Sequence, residues 1–215
     1  MRLFLAVRPP QHVLDHLSLA LEGVAASLPT AGGPRPVRWS APENRHVTVA
    51  FYGELSDGAA DELTVALEGA VDEVVPVELD LRGAGVFSHR TLWVGVGGDL
   101  DGMQALVAAA RRSGEAAGAA PEVRVRSRPH LTVGRVSRSA GDRARSGRRG
   151  HPSRGVPDHG PGAVESLVAA MSLYRGPSWT VEQVELMSSQ PGAGRHGGPL
   201  YTSLRTLTCG GGTVP

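Results

Sequence analysis

Two copies of one tetrapeptide stand in corresponding positions of the two halves of this 215-residue chain. They are His46-Val47-Thr48-Val49 and His130-Leu131-Thr132-Val133, and both have the form His-x-Thr-x. Each copy opens a run of β-branched and apolar residues, which predicts a strand. Because successive strand side chains point to opposite faces, each histidine shares a face with its threonine, and the two apolar residues share the other face. The repeat therefore predicts two strands with a polar front and an apolar back.

Periodicity in the rest of the chain predicts strands and helices around each motif. The predicted strands are 2–7, 37–39, 46–55, 77–87, 92–96, 123–126, 130–136, 179–187 and 199–207. The predicted helices are 11–28, 59–75, 99–117 and 163–174. Each half thus holds a motif strand, a later helix and further strands of antiparallel type. This organisation predicts two similar lobes that face each other.

The basic residues of the chain are all arginine: there are 22, with no lysine, and the net charge is +1. Any basic contact to a phosphate must therefore come from a guanidinium, which binds phosphate in a bidentate way. Six of the arginines lie in 137–161, a stretch that is also rich in Gly, Ser and Pro. Its composition predicts a flexible loop, whose arginines either are solvated or contact an RNA backbone.

Several classes of protein do not fit the sequence. The apolar run at the N-terminus is interrupted by Arg8 and is too short for a signal peptide, and no run approaches the length of a membrane span. The single cysteine, Cys209, cannot form an intrachain disulfide or a cysteine metal cluster. We therefore expect a cytoplasmic protein that does not enter the membrane.

Two imidazoles and two hydroxyls that converge in one cleft suit attack on a phosphodiester without a metal. One neutral imidazole can take a proton from water, while the other, as imidazolium, gives a proton to the departing sugar oxygen. The hydroxyls of Thr48 and Thr132 can donate to the non-bridging phosphate oxygens. The residues alone leave open whether His46 or His130 is the acid.

The blocks around the motifs carry a resemblance to a known family. Residues 38–54 are RWSAPENRHVTVAFYGE, and residues 128–135 are RPHLTVGR. With the opening strand 1–7 and the closing hairpin 179–207, these blocks resemble the 2H phosphoesterase superfamily. Within it, the chain is similar to the bacterial RNA 2',3'-cyclic phosphodiesterases, also described as 2'-5' RNA ligases. The resemblance covers nearly the whole chain.

The resemblance implies a fold, an activity and residue roles. The fold would be a single bilobal α+β domain over 1–215, with two antiparallel sheets facing across a cleft, helices outside and a pseudo-twofold repeat. The activity would be hydrolysis of a terminal 2',3'-cyclic phosphate to a 2'-phosphomonoester without a cofactor or a metal. His46 would be the proton donor and His130 the acceptor, with Thr48 and Thr132 on the phosphate. We expect a monomer that acts on RNA ends or small cyclic-phosphate nucleotides and needs no protein partner.

Three arginines are candidates for substrate binding. Arg45 and Arg128 flank the motifs and either line the entrance of the cleft or are solvated. Arg135 lies five positions after His130, so a regular strand turns it to the apolar face and only a bend or bulge returns it to the polar face. Trp39 and Phe51 are candidates for stacking a base. Strand alternation puts Phe51 on the apolar side with Val47 and Val49, however, which favours a core position for it.

Three other functions use the same residues. The two histidines can also catalyse the reverse reaction, 2'-5' ligation, in which a 5'-hydroxyl replaces water. A non-catalytic RNA-end binder would use the cleft and the arginine loop, but it has no need of two proton-transfer groups. A metallohydrolase is disfavoured because neither motif carries a carboxylate beside its histidine.

Overall fold

The computed structural model describes residues 1–27, 37–120, 128–136 and 162–210, without the side chains of Ala163 and His196. The predicted strand 123–126 and the predicted loop 137–161 lie outside these residues.

Nine strands of the described residues form one antiparallel sheet. They are β1 (Arg2–Val7), β2 (Val37–Trp39), β3 (Val47–Glu54), β4 (Val77–Phe87), β5 (Thr91–Gly98), β6 (His130–Val136), β7 (Trp179–Val181), β8 (Gln183–Gln190) and β9 (Leu200–Thr208). Their order is β7-β4-β5-β6-β3-β1-β8-β9, and β2 pairs with β6.

The two motif strands join two halves of this sheet. Strands β3 and β6 meet through a single residue pair, Val47 with Leu131. We call β3, β1, β8 and β9 the His46 half, and β6, β5, β4, β7 and β2 the His130 half. The predicted α+β architecture with two antiparallel halves is confirmed, and the halves are continuous through this pair.

Four helices accompany the sheet in the described residues: α1 (Gln11–Ser27), α2 (Asp57–Asp72), α3 (Leu100–Ala116) and α4 (Gly162–Ala170). The hydroxyl of Ser56 caps α2, and the carboxylate of Asp99 caps α3. Helical spacing buries one face of each helix, as in Leu63, Leu67 and Val71 of α2. These faces pack on the back of the sheet and form the main core with it.

Two predicted elements differ in the structure. The predicted strand 179–187 is two strands, β7 and β8, because the chain crosses at Glu182 from β4 to β1, in opposite halves of the sheet. The predicted helix 163–174 ends at Ala170. The residues after it run along β4 instead, where the carbonyl of Tyr174 accepts a hydrogen bond from Gly83.

Candidate active site

The two motif histidines are held in the same way. The Nδ1–H group of His46 donates to the carbonyl of Asn44 at 3.0 Å, and that of His130 donates to the carbonyl of Arg128 at 3.1 Å. A carbonyl oxygen only accepts, so Nδ1 carries the proton in both rings, and proton exchange falls to Nε2. The two motif histidines therefore have the same tautomer as well as the same His-x-Thr-x context.

His46 is strongly affected by its surroundings. Its pKa is lowered to about 4, first of all by burial. The charges of Arg8 and His130 act in the same direction, whereas the hydrogen bond to Asn44 and the charge of Glu185 oppose them. His46 is therefore neutral near pH 7 in the protein alone, and His130 lies close enough to influence it.

Two aromatic rings flank His46 on the front of the sheet. Phe4 of β1 lies 5.0 Å and Tyr201 of β9 lies 5.1 Å from the imidazole between ring centroids, and Tyr201 is edge-on. The rings belong to a small apolar cluster, distinct from the main core, which contains Phe4, Ala6, Phe51, Met187 and Tyr201. Packing of this kind fixes the orientation of the imidazole.

His130 has a corresponding aromatic environment. Phe87 at the end of β4 lies 4.8 Å and Trp93 of β5 lies 6.2 Å from its imidazole, both edge-on, and the two rings stack on each other. The sequence pattern does not single out these residues, or Phe4 and Tyr201, because strand pairing alone brings them beside the motifs. The available signal for Trp93 is its alternation with apolar neighbours, which predicts the face opposite the core.

Thr48 and Thr132 follow the expected alternation. Both side chains are half-buried, between buried neighbours on either side in the strand. Thr48 pairs with Ala6 of the small front cluster, and Thr132 pairs with Trp93. Each hydroxyl therefore shares the front of the sheet with its histidine.

A β-bulge occurs at the fourth residue of both motifs. The pairing of β1 with β3 skips Val49, and the pairing of β5 with β6 skips Val133. An extra residue in one strand shifts its alternation by one position. Phe51 and Arg135, each three positions after a motif threonine, are thereby returned to the front.

The bulge in β3 overturns the interpretation of Phe51 as a core residue. Phe51 is half-buried in the small front cluster, and the guanidinium of Arg2 lies 4.8 Å from its ring centroid. Trp39, in contrast, packs against the main core on the back of the sheet. Of the two predicted stacking residues, the structure therefore brings only Phe51 to the front.

A substrate-binding role for Arg135 requires a bend or bulge that returns its side chain to the polar face, and β6 has such a bulge. Arg135 is exposed and pairs with Thr91 and Arg38. Its charge also reaches the other half of the sheet. Burial raises the pKa of Tyr201, and the charges of Arg135 and Arg2 oppose that rise. Through the bulge, Arg135 shares the front of the sheet with Thr132 and His130.

The other two candidate arginines are placed differently. Arg45 is 5% exposed, and its Nη1 donates to Ser18 Oγ of α1 at 2.7 Å. The prediction that Arg45 lines the cleft entrance is therefore wrong, and so is the alternative prediction that its side chain is solvated. Because His46 faces the front, its strand neighbour faces the back, where α1 packs. Arg128 is exposed, and its carbonyl holds His130.

Two features are absent from the described residues. No group of three or more His, Cys, Asp or Glu side chains within them has an arrangement that could hold a metal ion. None of the helices in the described part of the chain has both the length and the apolar character needed to cross a membrane.

Part of the chain is similar in sequence to known proteins. Residues 15–147 match the model of the 2'-5' RNA ligase superfamily. The RNA 2',3'-cyclic phosphodiesterase of Methanothermobacter thermautotrophicus is 31% identical over 99 residues, which cover 44% of this chain and 50% of that protein. The chain spans about half the length of the curated relatives it matches.

Solved structures share the fold over nearly the whole chain. TT0787 of Thermus thermophilus has a TM-score of 0.68 and 24% identity, over 99% of this chain and 100% of that chain. E. coli LigT in complex with 3'-AMP has a TM-score of 0.61 and 20% identity, over 97% of this chain and 96% of that chain. The family model matches more than half of the sequence, and the chain therefore belongs to the 2'-5' RNA ligase superfamily.

Proposed function

We propose that the protein opens the 2',3'-cyclic phosphate at an RNA end to a 2'-phosphomonoester, with His46 and His130 as its proton-transfer groups. The observation that carries this proposal is the matched setting of the two imidazoles. Each has Nδ1 bonded to a backbone carbonyl and a threonine on the same face, and their strands pair at Val47 and Leu131. The name shared by three curated relatives, RNA 2',3'-cyclic phosphodiesterase, supports the same activity.

In the proposed reaction, the two imidazoles act on opposite sides of the phosphorus. Nε2 of one neutral ring takes a proton from water as the water oxygen attacks phosphorus. The other ring, as imidazolium, gives its proton to the departing 3'-oxygen as the P–O3' bond breaks. Thr48 and Thr132 donate to the non-bridging oxygens and stabilise the charge that builds there. A general acid or base typically contributes about 10²–10⁴ in rate.

We assign His46 as the donor and His130 as the acceptor, following the family resemblance. A donor must be protonated before it acts, whereas burial lowers the pKa of His46 to about 4. A bound cyclic phosphate brings a negative charge, which favours the imidazolium. We therefore expect a bound nucleoside 2'-phosphate to raise the pKa of His46 in an NMR titration. The absence of a rise would reverse the two roles but keep the histidine pair.

Arg135 completes the proposed site as a phosphate ligand. Its side chain is exposed and lies on the front of β6, to which the bulge returns it. A planar guanidinium suits a phosphate that must be held in line for attack. Arg128, exposed beside the motif, is the second candidate and would contact the RNA backbone rather than the reacting phosphate.

The test of this function is the identity of the product. Purified protein is treated with a chelator and incubated with an oligonucleotide that ends in a 2',3'-cyclic phosphate. The proposal predicts a 2'-phosphate end and a rate that survives the chelator. A 3'-phosphate product, or a rate restored only by an added metal, would contradict it.

The same assay separates the alternative functions. Addition of an oligonucleotide with a 5'-hydroxyl reports 2'-5' ligation, because the joined product is longer. Binding of the cyclic end without turnover would indicate a non-catalytic RNA-end binder. That the protein acts in the cytoplasm as a monomer, without an obligatory partner, stays a prediction from the sequence.

A further inference from the structure

A row of paired residues runs across the His130 half from the catalytic histidine. His130 pairs with Gly95 of β5, Gly95 pairs with Arg82 of β4, and Arg82 bridges to Arg175 beyond β4. Directly opposed residues share a face of a sheet, so both arginines lie on the same front as His130. Two strand spacings put the Cα atom of Arg82 about 10 Å from that of His130.

A buried carboxylate fixes the Arg82 guanidinium. Nε of Arg82 donates to Oδ1 of Asp80 at 2.6 Å, and Nη2 donates to Oδ2 of the same carboxylate. Nη2 of Arg175 reaches Oδ2 at 3.5 Å. The hydrogen bond from Arg82 holds the pKa of Asp80 below its ordinary value, so the carboxylate stays charged. Two cations therefore share one anion, and the cluster keeps one positive charge.

The cluster still has hydrogen-bond donors that face solvent. The side chains of Arg82 and Arg175 are 44% and 71% exposed, whereas that of Asp80 is 6% exposed. Within the described residues, Nη1 of Arg82 makes no hydrogen bond. These donors are suited to a second anion, which would neutralise the remaining charge.

Two glycines of β5 lie beside Arg82 on the front of the sheet. Gly95 occupies the position between Arg82 and His130 in the row. The side chain of Arg82 lies over Gly97, where an added Cβ would overlap its Nε atom. No side chain of the row therefore separates the histidine from the arginine, and the ring of Trp93, whose Cζ3 atom lies 3.6 Å from the position of an added Gly95 Cβ, borders this space.

We propose that Arg82 and Arg175 bind the 5'-phosphate of the nucleotide whose cyclic phosphate reaches His46 and His130. This inference rests on the proposed function and names its substrate class: a nucleotide that carries a second phosphate, as every RNA 3' end does. In this substrate a single ribose separates the 5'-phosphate from the cyclic phosphate. Across the sheet, a single residue, Gly95, separates Arg82 from His130. The competing explanation is structural, because the cluster also ties the segment around Arg175 to β4.

The test compares two mononucleotides that differ by one phosphate. A nucleoside 2',3'-cyclic phosphate with a free 5'-hydroxyl is compared with its 5'-phosphorylated form. We expect the wild-type protein to prefer the phosphorylated form by about tenfold or more in kcat/KM, mainly through KM, as hydrogen bonds to charged groups suggest. Arg82→Gln should bring the ratio close to one with little change on the 5'-hydroxyl substrate.

Three other variants define the site further. Arg175→Gln keeps the Arg82–Asp80 pair and should reduce the preference partly. Gly97→Ala keeps every charge but displaces the guanidinium, so it should also reduce the preference. Arg205→Gln removes an exposed arginine that pairs with Glu68 of α2 on the back of the sheet, and it should leave the ratio unchanged.

The outcomes separate this inference from the proposed function. Equal rates on the two substrates in the wild-type protein would overturn the inference and leave the function intact. A loss in Arg82→Gln that is equal on both substrates, with a lower melting temperature, would assign the cluster a structural role. If neither substrate is hydrolysed, tighter Arg82-dependent binding of nucleoside 2',5'-bisphosphate than of the 2'-monophosphate supports the phosphate site on its own. Equal binding rejects it.

Discussion

At the scale of single residues, burial of His46 has a consequence for stability. Its pKa falls from the ordinary 6.5 to about 4 in the folded protein. Between these values the unfolded chain binds a proton that the folded chain does not, so the free energy of unfolding falls as pH falls from 6.5 towards 4. The contribution is fully present above pH 6.5, and each pKa unit corresponds to about 1.4 kcal/mol.

We expect the variant His46→Gln to flatten this part of the stability curve, because glutamine does not titrate. Urea unfolding of both proteins at a series of pH values between about 4 and 7 measures the two slopes. Identical slopes would show that His46 keeps an ordinary pKa and would contradict the described burial.

Arg45 and Arg135 lie on opposite sides of the sheet, so the same substitution at the two positions should have different effects. Arg135→Gln should lower kcat/KM about tenfold or more, because a charged phosphate contact is lost, with little change in stability. Arg45→Gln removes a buried donor to Ser18, so it should lower the free energy of unfolding by about 1–3 kcal/mol. The folded Arg45 variant should keep its kcat/KM. Thermal unfolding and initial rates on the same preparations check both, and interchanged effects would contradict the placement of the two side chains.

At the scale of elements, the two bulges determine which other side chains share the front of the sheet with the motif histidines and threonines. The faces of the histidines and threonines follow from alternation alone, and the sequence predicts them. The faces of Phe51 and Arg135 do not, because a bulge is defined by pairing with another strand. Those partners, β1 and β5, are distant in sequence from the strands they pair with, and no local pattern encodes the register.

The close contact of β2 with β6 gives a prediction for Gly134. A Cβ atom there would lie 2.9 Å from Val37 Cγ1 and 3.0 Å from the Arg38 carbonyl oxygen. Gly134→Ala should therefore destabilise the protein by about 1–3 kcal/mol, as overpacking does. Gly69→Ala in α2 is the control, since apart from the neighbouring backbone of its own helix no described atom lies within 4 Å of its added Cβ. The control should gain about 0.5–1 kcal/mol. Urea unfolding compares them, and equal effects would argue against the contact.

At the scale of the whole molecule, the repeat predicts two facing halves, and the structure has them. The sequence does not predict that they are joined through one residue pair, or that the chain changes halves at Glu182. Both depend on pairing between distant segments. The aromatic surroundings of the histidines arise in the same way, because Phe4, Tyr201, Phe87 and Trp93 come from four different strands.

The central claim is that one histidine from each half transfers a proton in the same reaction. Its most direct test is kcat/KM on an RNA 2',3'-cyclic phosphate for the wild-type protein, His46→Ala, His130→Ala and the double variant, each confirmed to be folded. We predict a loss of about 10²–10⁴ for each single variant, and for the double variant a loss smaller than the product of the two, because the pair acts as a unit. Undiminished kcat/KM in either single variant would contradict the account.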